Sequence, residues 1–212
     1  MNSSVVYPSR SPVAKLAVAF LAALAVATGG LYVGQSISTA WYLPLYILEV
    51  ILLLVMIFSR RQKVVGYPLM FAFMFVSGAT LAPVIGYYVS IIGAAAIFKA
   101  FALAVISFSG VALYAAKTKE DFSFLGGFLT LGAFALLGLL IVQWFIPFSS
   151  VGQMGIAALG ILIFLGFTIY DINRLARHGF SEADIPMIVV NIYLDFINLF
   201  IYILRFFASD ED

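Results

Sequence analysis

Five ionisable side chains stand inside long apolar runs: Glu49, Lys99, Asp171, Asp195 and Arg205. A charge in hydrocarbon is costly, so a residue of this kind is a functional candidate by default. Asp171 and Asp195 carry the most chemistry. They lie in the last two apolar runs, separated by a polar stretch from Leu175 to Ile185 that includes His178-Gly179. Such a short connection makes a hairpin whose two helices pack. From the rise of a helix, the two carboxyls stand ~8–10 Å and ~15 Å from one membrane surface, close enough to meet. Two carboxyls within reach in a low-dielectric site cannot both ionise cheaply, so they share a proton. When ionised, the same oxygens are hard ligands suited to Ca²⁺ rather than to soft metals. The alternative is that both aspartates only hydrogen-bond asparagine and tyrosine partners and lock their helices together.

The residues around the pair extend the pattern. Asn191, Asp195, Asn198 and Tyr202 follow i, i+4, i+7, i+11 spacing, which sets four polar groups on one helical stripe. In a membrane that stripe must face protein or a wet cavity, which makes the C-terminal helix central. Arg60, at the cytoplasmic end of the second run, can oppose proton sharing by pairing with Asp171 as a latch. Glu49 sits mid-span and is expected to be the deepest acid, either a helix-bridging protonated carboxyl or a cation site along an ion path. Lys99 is open to snorkelling or to an ion pair with Glu49. Arg205, near a helix end, is expected to snorkel to the headgroups.

The elements that must position these groups are plain in the composition. Of 212 residues 64% are apolar, 16% aromatic and only 10% charged, with a mean hydropathy of +1.13. A soluble domain runs near ~45–50% apolar and ~25% charged, so a water-soluble fold is excluded. A net charge of +1 gives no basic surface for nucleic acid. Zero cysteines and one histidine exclude disulfide scaffolds, thiol catalysis and His-rich metal centres. Spanning ~30 Å of hydrocarbon takes ~20 residues per helix. The apolar runs predict helices over 13–34, 41–59, 65–89, 92–116, 123–146, 151–176 and 185–207. The expectation is an all-α membrane protein with seven transmembrane helices in one domain over 1–212. The first run is too long and uniform for a cleaved signal peptide. Ser77-Gly78-Ala79-Thr80 would let backbones approach closely, and Pro83 would kink its helix.

Orientation follows from the basic residues. With a cytoplasmic N-terminus, the inner side collects Arg10, Lys15, Arg60, Arg61, Lys63, Lys117, Lys119, Arg174 and Arg177, nine of the eleven. The outer connections near 35–40, 88–93 and 147–153 carry none. That asymmetry obeys the positive-inside rule and puts the acidic C-terminus outside. Short tails and the absence of cysteine point to a bacterial inner (plasma) membrane.

Three stretches together resemble one family. Lys117-Thr118-Lys119-Glu120-Asp121-Phe122-Ser123-Phe124-Leu125-Gly126 is similar to the signature between the fourth and fifth helices of the transmembrane Bax inhibitor motif (TMBIM) proteins. Tyr170-Asp171 and Leu194-Asp195-Phe196-Ile197-Asn198-Leu199-Phe200 resemble its two aspartate segments, most of all in the bacterial YetJ-like members. The span count, the inner N-terminus and Glu49 agree, so the likeness covers essentially the whole chain. The resemblance implies a pH-regulated calcium leak channel with two triple-helix layers around a central seventh helix. It implies Asp171 and Asp195 as the proton-sharing sensor, Arg60 as the partner of Asp171 in one state, and Glu49 as an acid along the ion path. The expected partners are the lipid bilayer, protons and Ca²⁺, the last as permeating or transiently bound ion. Neither a bound cofactor nor nucleic acid is expected, and the chain is expected to act as a monomer.

Other classes fit less well. Presenilin-type proteases also place two aspartates on adjacent membrane helices to activate water. They carry Gly-x-Gly-Asp and Pro-Ala-Leu, whereas Asp195 here follows Ile192-Tyr193-Leu194 and no Pro-Ala-Leu occurs. A retinal pigment would need a lysine on the last helix, which has none. A proton-coupled cation transporter would use the same acids, but the inverted repeat of many such folds is not evident. A non-conducting membrane regulator would need docking surface, and the connections are short.

Overall fold

The computed structural model describes residues 10–59 and 66–211. Six helices account for nearly all of them: α1 (Arg10–Gly34), α2 (Tyr42–Ser59), α3 (Tyr67–Lys117), α4 (Leu125–Gln143), α5 (Ser150–His178) and α6 (Ile185–Glu211). Single 3₁₀ turns at Thr39–Trp41 and Glu182–Asp184 lead into α2 and α6. Every regular element among the described residues is helical. A helix satisfies its backbone within one segment, which is what hydrocarbon demands. All six are long and apolar enough to cross a membrane. Val18, Leu21, Phe98, Ile106, Phe128 and Leu162 are among many large apolar side chains left exposed, a surface suited to lipid. The protein is an integral, multi-pass membrane protein.

One expected boundary is reduced to a single residue. The runs predicted over 65–89 and 92–116 form the 51-residue α3, interrupted only at Gly93, where φ is 76° and ψ 160°. No polar connection separates the two runs, so a glycine, free to adopt positive φ, makes the only break. Pro83 lies within the helix, and the non-helical backbone falls ten residues later. Elsewhere the differences are at helix ends. α5 runs to His178 instead of 176 and stops at Gly179, whose φ of 68° is the usual left-handed terminator. The Asp184 carboxylate accepts from the Ser181 amide at 2.9 Å and its hydroxyl at 2.5 Å, fixing the entry to α6.

The described chain forms two compact units, one from Met1–Tyr87 with Gly179–Tyr193, the other from Tyr88–His178 with Leu194–Asp212. Unit one packs α1 on the first half of α3 through bare backbone. A Cβ on Gly30 would strike the Phe75 carbonyl, and one on Gly78 would strike the Ala27 carbonyl. Small residues allow this approach in membranes. Unit two packs through rings. Phe101 meets Phe196 and Phe200 edge-on at 5.9 and 5.7 Å, and Phe108 meets Phe196 at 5.5 Å. Leu136, Ile156, Ile163 and Tyr202 form a buried apolar cluster between α4, α5 and α6. Of the 28 residues in 182–209, 56% of the most apolar window is buried, twice the share of any other span. α6 is the most enclosed helix.

Candidate functional site

Among the described residues Asp195 is the buried acid, 7% exposed on α6 in unit two. Asp171, half-buried on α5, belongs to the same unit, and its carboxyl acts electrostatically on Asp195. α5 and α6 are packed close in this unit: a Cβ on Gly160 would overlap the Tyr202 ring, and Phe164 stacks on that ring at 5.7 Å. The four polar positions of α6 are enclosed to different degrees. Tyr202 is buried, and Asn191 and Asn198 are half-buried. Asn198 donates to the Leu194 carbonyl one turn back at 2.7 Å. Tyr202 lies among apolar side chains and so belongs to the core. Among the described residues no three His, Asp or Glu side chains gather as a metal cage.

Asn173, absent from the sequence reading, is the most completely used polar residue of unit two. It is 1% exposed. Its Oδ1 accepts from the Phe122 amide at 3.2 Å, and its Nδ2 donates to the carbonyls of Ala115 at 3.2 Å and Glu120 at 3.1 Å. Ala115 lies in the last turn of α3, where carbonyls lack helical donors. One side chain thus serves a helix end and two loop groups. One turn on, Arg177 donates to the Lys119 carbonyl at 2.8 Å and stands 3.9 Å from Asp121. The signal was available: Asn173 is a polar residue two positions after Asp171. Its partners are backbone atoms, which no residue spacing reveals.

The same connection is closed by a bond between its own side chains ahead of α4. The Asp121 carboxylate accepts from the Ser123 hydroxyl at 2.6 Å and amide at 2.9 Å. These bonds to Ser123, with smaller help from Arg177 and His178, hold the Asp121 carboxyl below the usual carboxylate range. The signature stretch from Lys117 to Gly126 therefore holds a turn docked on Asn173 and Arg177 and closed by the Asp121–Ser123 bonds.

In unit one, Glu49 is half-buried on α2, and the Thr80 hydroxyl on α3 lies 2.7 Å from its Oε2. That hydroxyl also stands 2.9 Å from the Ser77 carbonyl. Tyr46 donates to the Thr80 carbonyl at 3.4 Å, and Tyr193 donates to the Ser77 hydroxyl at 3.2 Å. Glu49 on α2 is tied to α3 through Thr80. It is less enclosed than Asp195. Two cations differ from expectation or sharpen it. Arg205 is half-buried and donates to Gln143, with its Nε buried and unaccepted, instead of snorkelling outward. The neighbouring Gln143 supplies an acceptor within unit two, so the guanidinium need not reach the headgroups. Lys99 is exposed, as snorkelling requires. Arg60 lies outside the described residues.

Comparison with known proteins agrees with the whole length of this pattern. The family described as inhibitor of apoptosis-promoting Bax1 matches residues 13–212. An uncharacterized protein of Campylobacter jejuni is 32% identical over 200 residues, covering 90% of this chain and 84% of that one. Bax inhibitor 1 of Schizosaccharomyces pombe is 31% identical over 78% of this chain and 60% of its own length. Mouse protein lifeguard 4 is 29% identical over 71% of this chain and 60% of its own. The match runs through both aspartate segments and the Asn173-bound turn, and the chain belongs to the Bax inhibitor (TMBIM) family.

Proposed function

We propose that the protein is a pH-regulated leak channel for Ca²⁺, gated by proton sharing between Asp171 and Asp195. The observation that carries this reading is the burial of Asp195 at 7% exposure with the Asp171 carboxyl as its charged neighbour in the same unit. Two negative charges there repel and are poorly hydrated, so one proton held between them is the low-energy arrangement. Losing it frees Asp171 to swing toward Arg60 and leaves oxygen ligands for a hard cation. Two carboxyls are fewer oxygens than a resident Ca²⁺ site collects, which suits an ion in passage. Glu49 is the further acid on the path, oriented by Thr80.

The break at Gly93 supports counting α3 as two spans. A straight helix of its length would be about 75 Å long, more than twice the hydrocarbon thickness. Seven spans with a cytoplasmic N-terminus follow. The enclosure of α6 favours the arrangement of two three-helix layers around it. The basic residues and bacterial relatives favour a bacterial inner membrane.

The test is flux. Liposomes carrying the purified protein and an internal calcium dye are compared across pH with the parent, Asp171→Asn and Asp195→Asn. Calcium entry that titrates in the parent and loses its pH dependence in both variants is the expected result. Entry that is absent, or titrates identically in all three, overturns the channel.

A further inference from the structure

Asn173 and Asp171 are two residues apart on α5, about 200° round the helix from each other. One faces the 118–122 connection, where it holds three backbone groups. The other carries the carboxyl that acts on Asp195. A helix is stiff over two residues, so any roll or tilt of this end of α5 moves both. Arg177, one turn beyond Asn173, adds a second tie to the same connection. The 1% exposure of Asn173 means its amide cannot trade these partners for water.

We propose that Asn173 is a positioning residue that couples the docking of the 118–122 connection to the setting of Asp171. The turn between α3 and α4 is then a cytoplasmic handle on the aspartate pair. Pulling it away, by a partner or a modification, shifts the equilibrium of Asp171 between its two settings. Linkage makes the coupling reciprocal: the state of the pair must alter how firmly the turn is docked. The charged groups that enter this balance are Arg60 as the proposed second partner of Asp171, Asp195 on α6, Arg174, Arg177 and His178 on α5, and Lys119, Glu120 and Asp121 on the connection. Only the flux arm of the test rests on the channel reading.

The experiment is amide hydrogen exchange at Phe122, whose N–H is the donor to Asn173, in the full chain in nanodiscs at one fixed pH. Asp171→Asn and Asp195→Asn are each expected to change the Phe122 exchange rate about fivefold, in the same direction. Local disturbance from residue 171 alone would not be reproduced by a change on α6. An unchanged rate in both variants overturns the coupling. The reciprocal arm uses Arg177→Gln, an exposed change that weakens docking without emptying the buried Asn173 site, and Asn173→Ala where it folds. Each is expected to shift the pH midpoint of calcium flux by about half a unit. Flux that titrates in the parent but keeps its midpoint in Arg177→Gln overturns the proposal while the channel stands. A response at Phe122 without any parental flux overturns the channel and leaves the coupling standing.

Discussion

Glu49 and Asp195 are both carboxyl groups on apolar helices, yet the two units accommodate them by different chemistry. In unit one a hydroxyl donor from Thr80 reaches Glu49 at 2.7 Å, and Ser77, Tyr46 and Tyr193 bond around it. In unit two Asp195 is more deeply buried, and its charged neighbour is a second carboxyl. A hydroxyl can donate to a carboxylate or accept from a carboxylic acid, so Glu49 is satisfied in either protonation state and needs no switch. In the proposed reading the two aspartates are satisfied by sharing a proton, and sharing is sensitive to pH. The packing differs in parallel. Unit one brings backbones together at Gly30 and Gly78, while unit two interlocks the rings of Phe101, Phe108 and Phe196. Backbone contact tolerates no added volume, whereas rings can re-pack.

That contrast can be broken most violently at Gly78. A side chain there meets the Ala27 carbonyl, which cannot move without displacing α1. Gly78→Val is expected to cost about 4 kcal/mol or more, the range of severe overpacking, and to leave little folded protein by thermal unfolding in detergent. Phe196→Leu in unit two removes ring contacts and is expected to cost only about 1–2 kcal/mol. Comparable losses would erase the distinction between the packings. The acids are separated next. Thr80→Val takes the hydroxyl from Glu49 and should destabilise by about 1–2 kcal/mol while leaving the pH midpoint of calcium flux in place. A midpoint that moves as far in Thr80→Val as in an aspartate variant would mean that both acids switch.

Much of this was legible before the fold. The burial of Asp195 and Tyr202 follows from residue type and helical period, because hydrocarbon punishes a misplaced polar group. Helix ends were less legible where tertiary chemistry sets them. Gly179 and the Ser181–Asp184 bonds, not the fading of hydropathy, end α5 and start α6. The break near Gly93 was legible in place but not in size, because a one-residue break leaves the apolar run intact. Asn173 and Gln143 were hidden for another reason. Their partners lie 51 to 62 residues away, and neither side chain is charged, so no local cost announces them.

The smallest expected effect tests whether the two sides of unit two's carboxyl chemistry are independent. Asp121 is exposed, and its carboxyl is held low first by the Ser123 hydroxyl and amide, then by Arg177 and His178. A carboxyl lowered on folding favours the folded turn above its unfolded value, about 3.9, and that contribution disappears as pH falls through the lower folded value. The docked turn should therefore loosen only in strong acid, and its amide exchange should be flat with respect to Asp121 charge near neutral pH. Asp121→Asn keeps an acceptor for Ser123 but removes the charge, so it should abolish the acid loosening and change little else. The titration of flux by the aspartate pair should be unmoved by that substitution. If Asp121→Asn instead shifts the pH midpoint of the flux, the turn contributes charge as well as geometry to the pair, and the handle is electrostatic as well as mechanical.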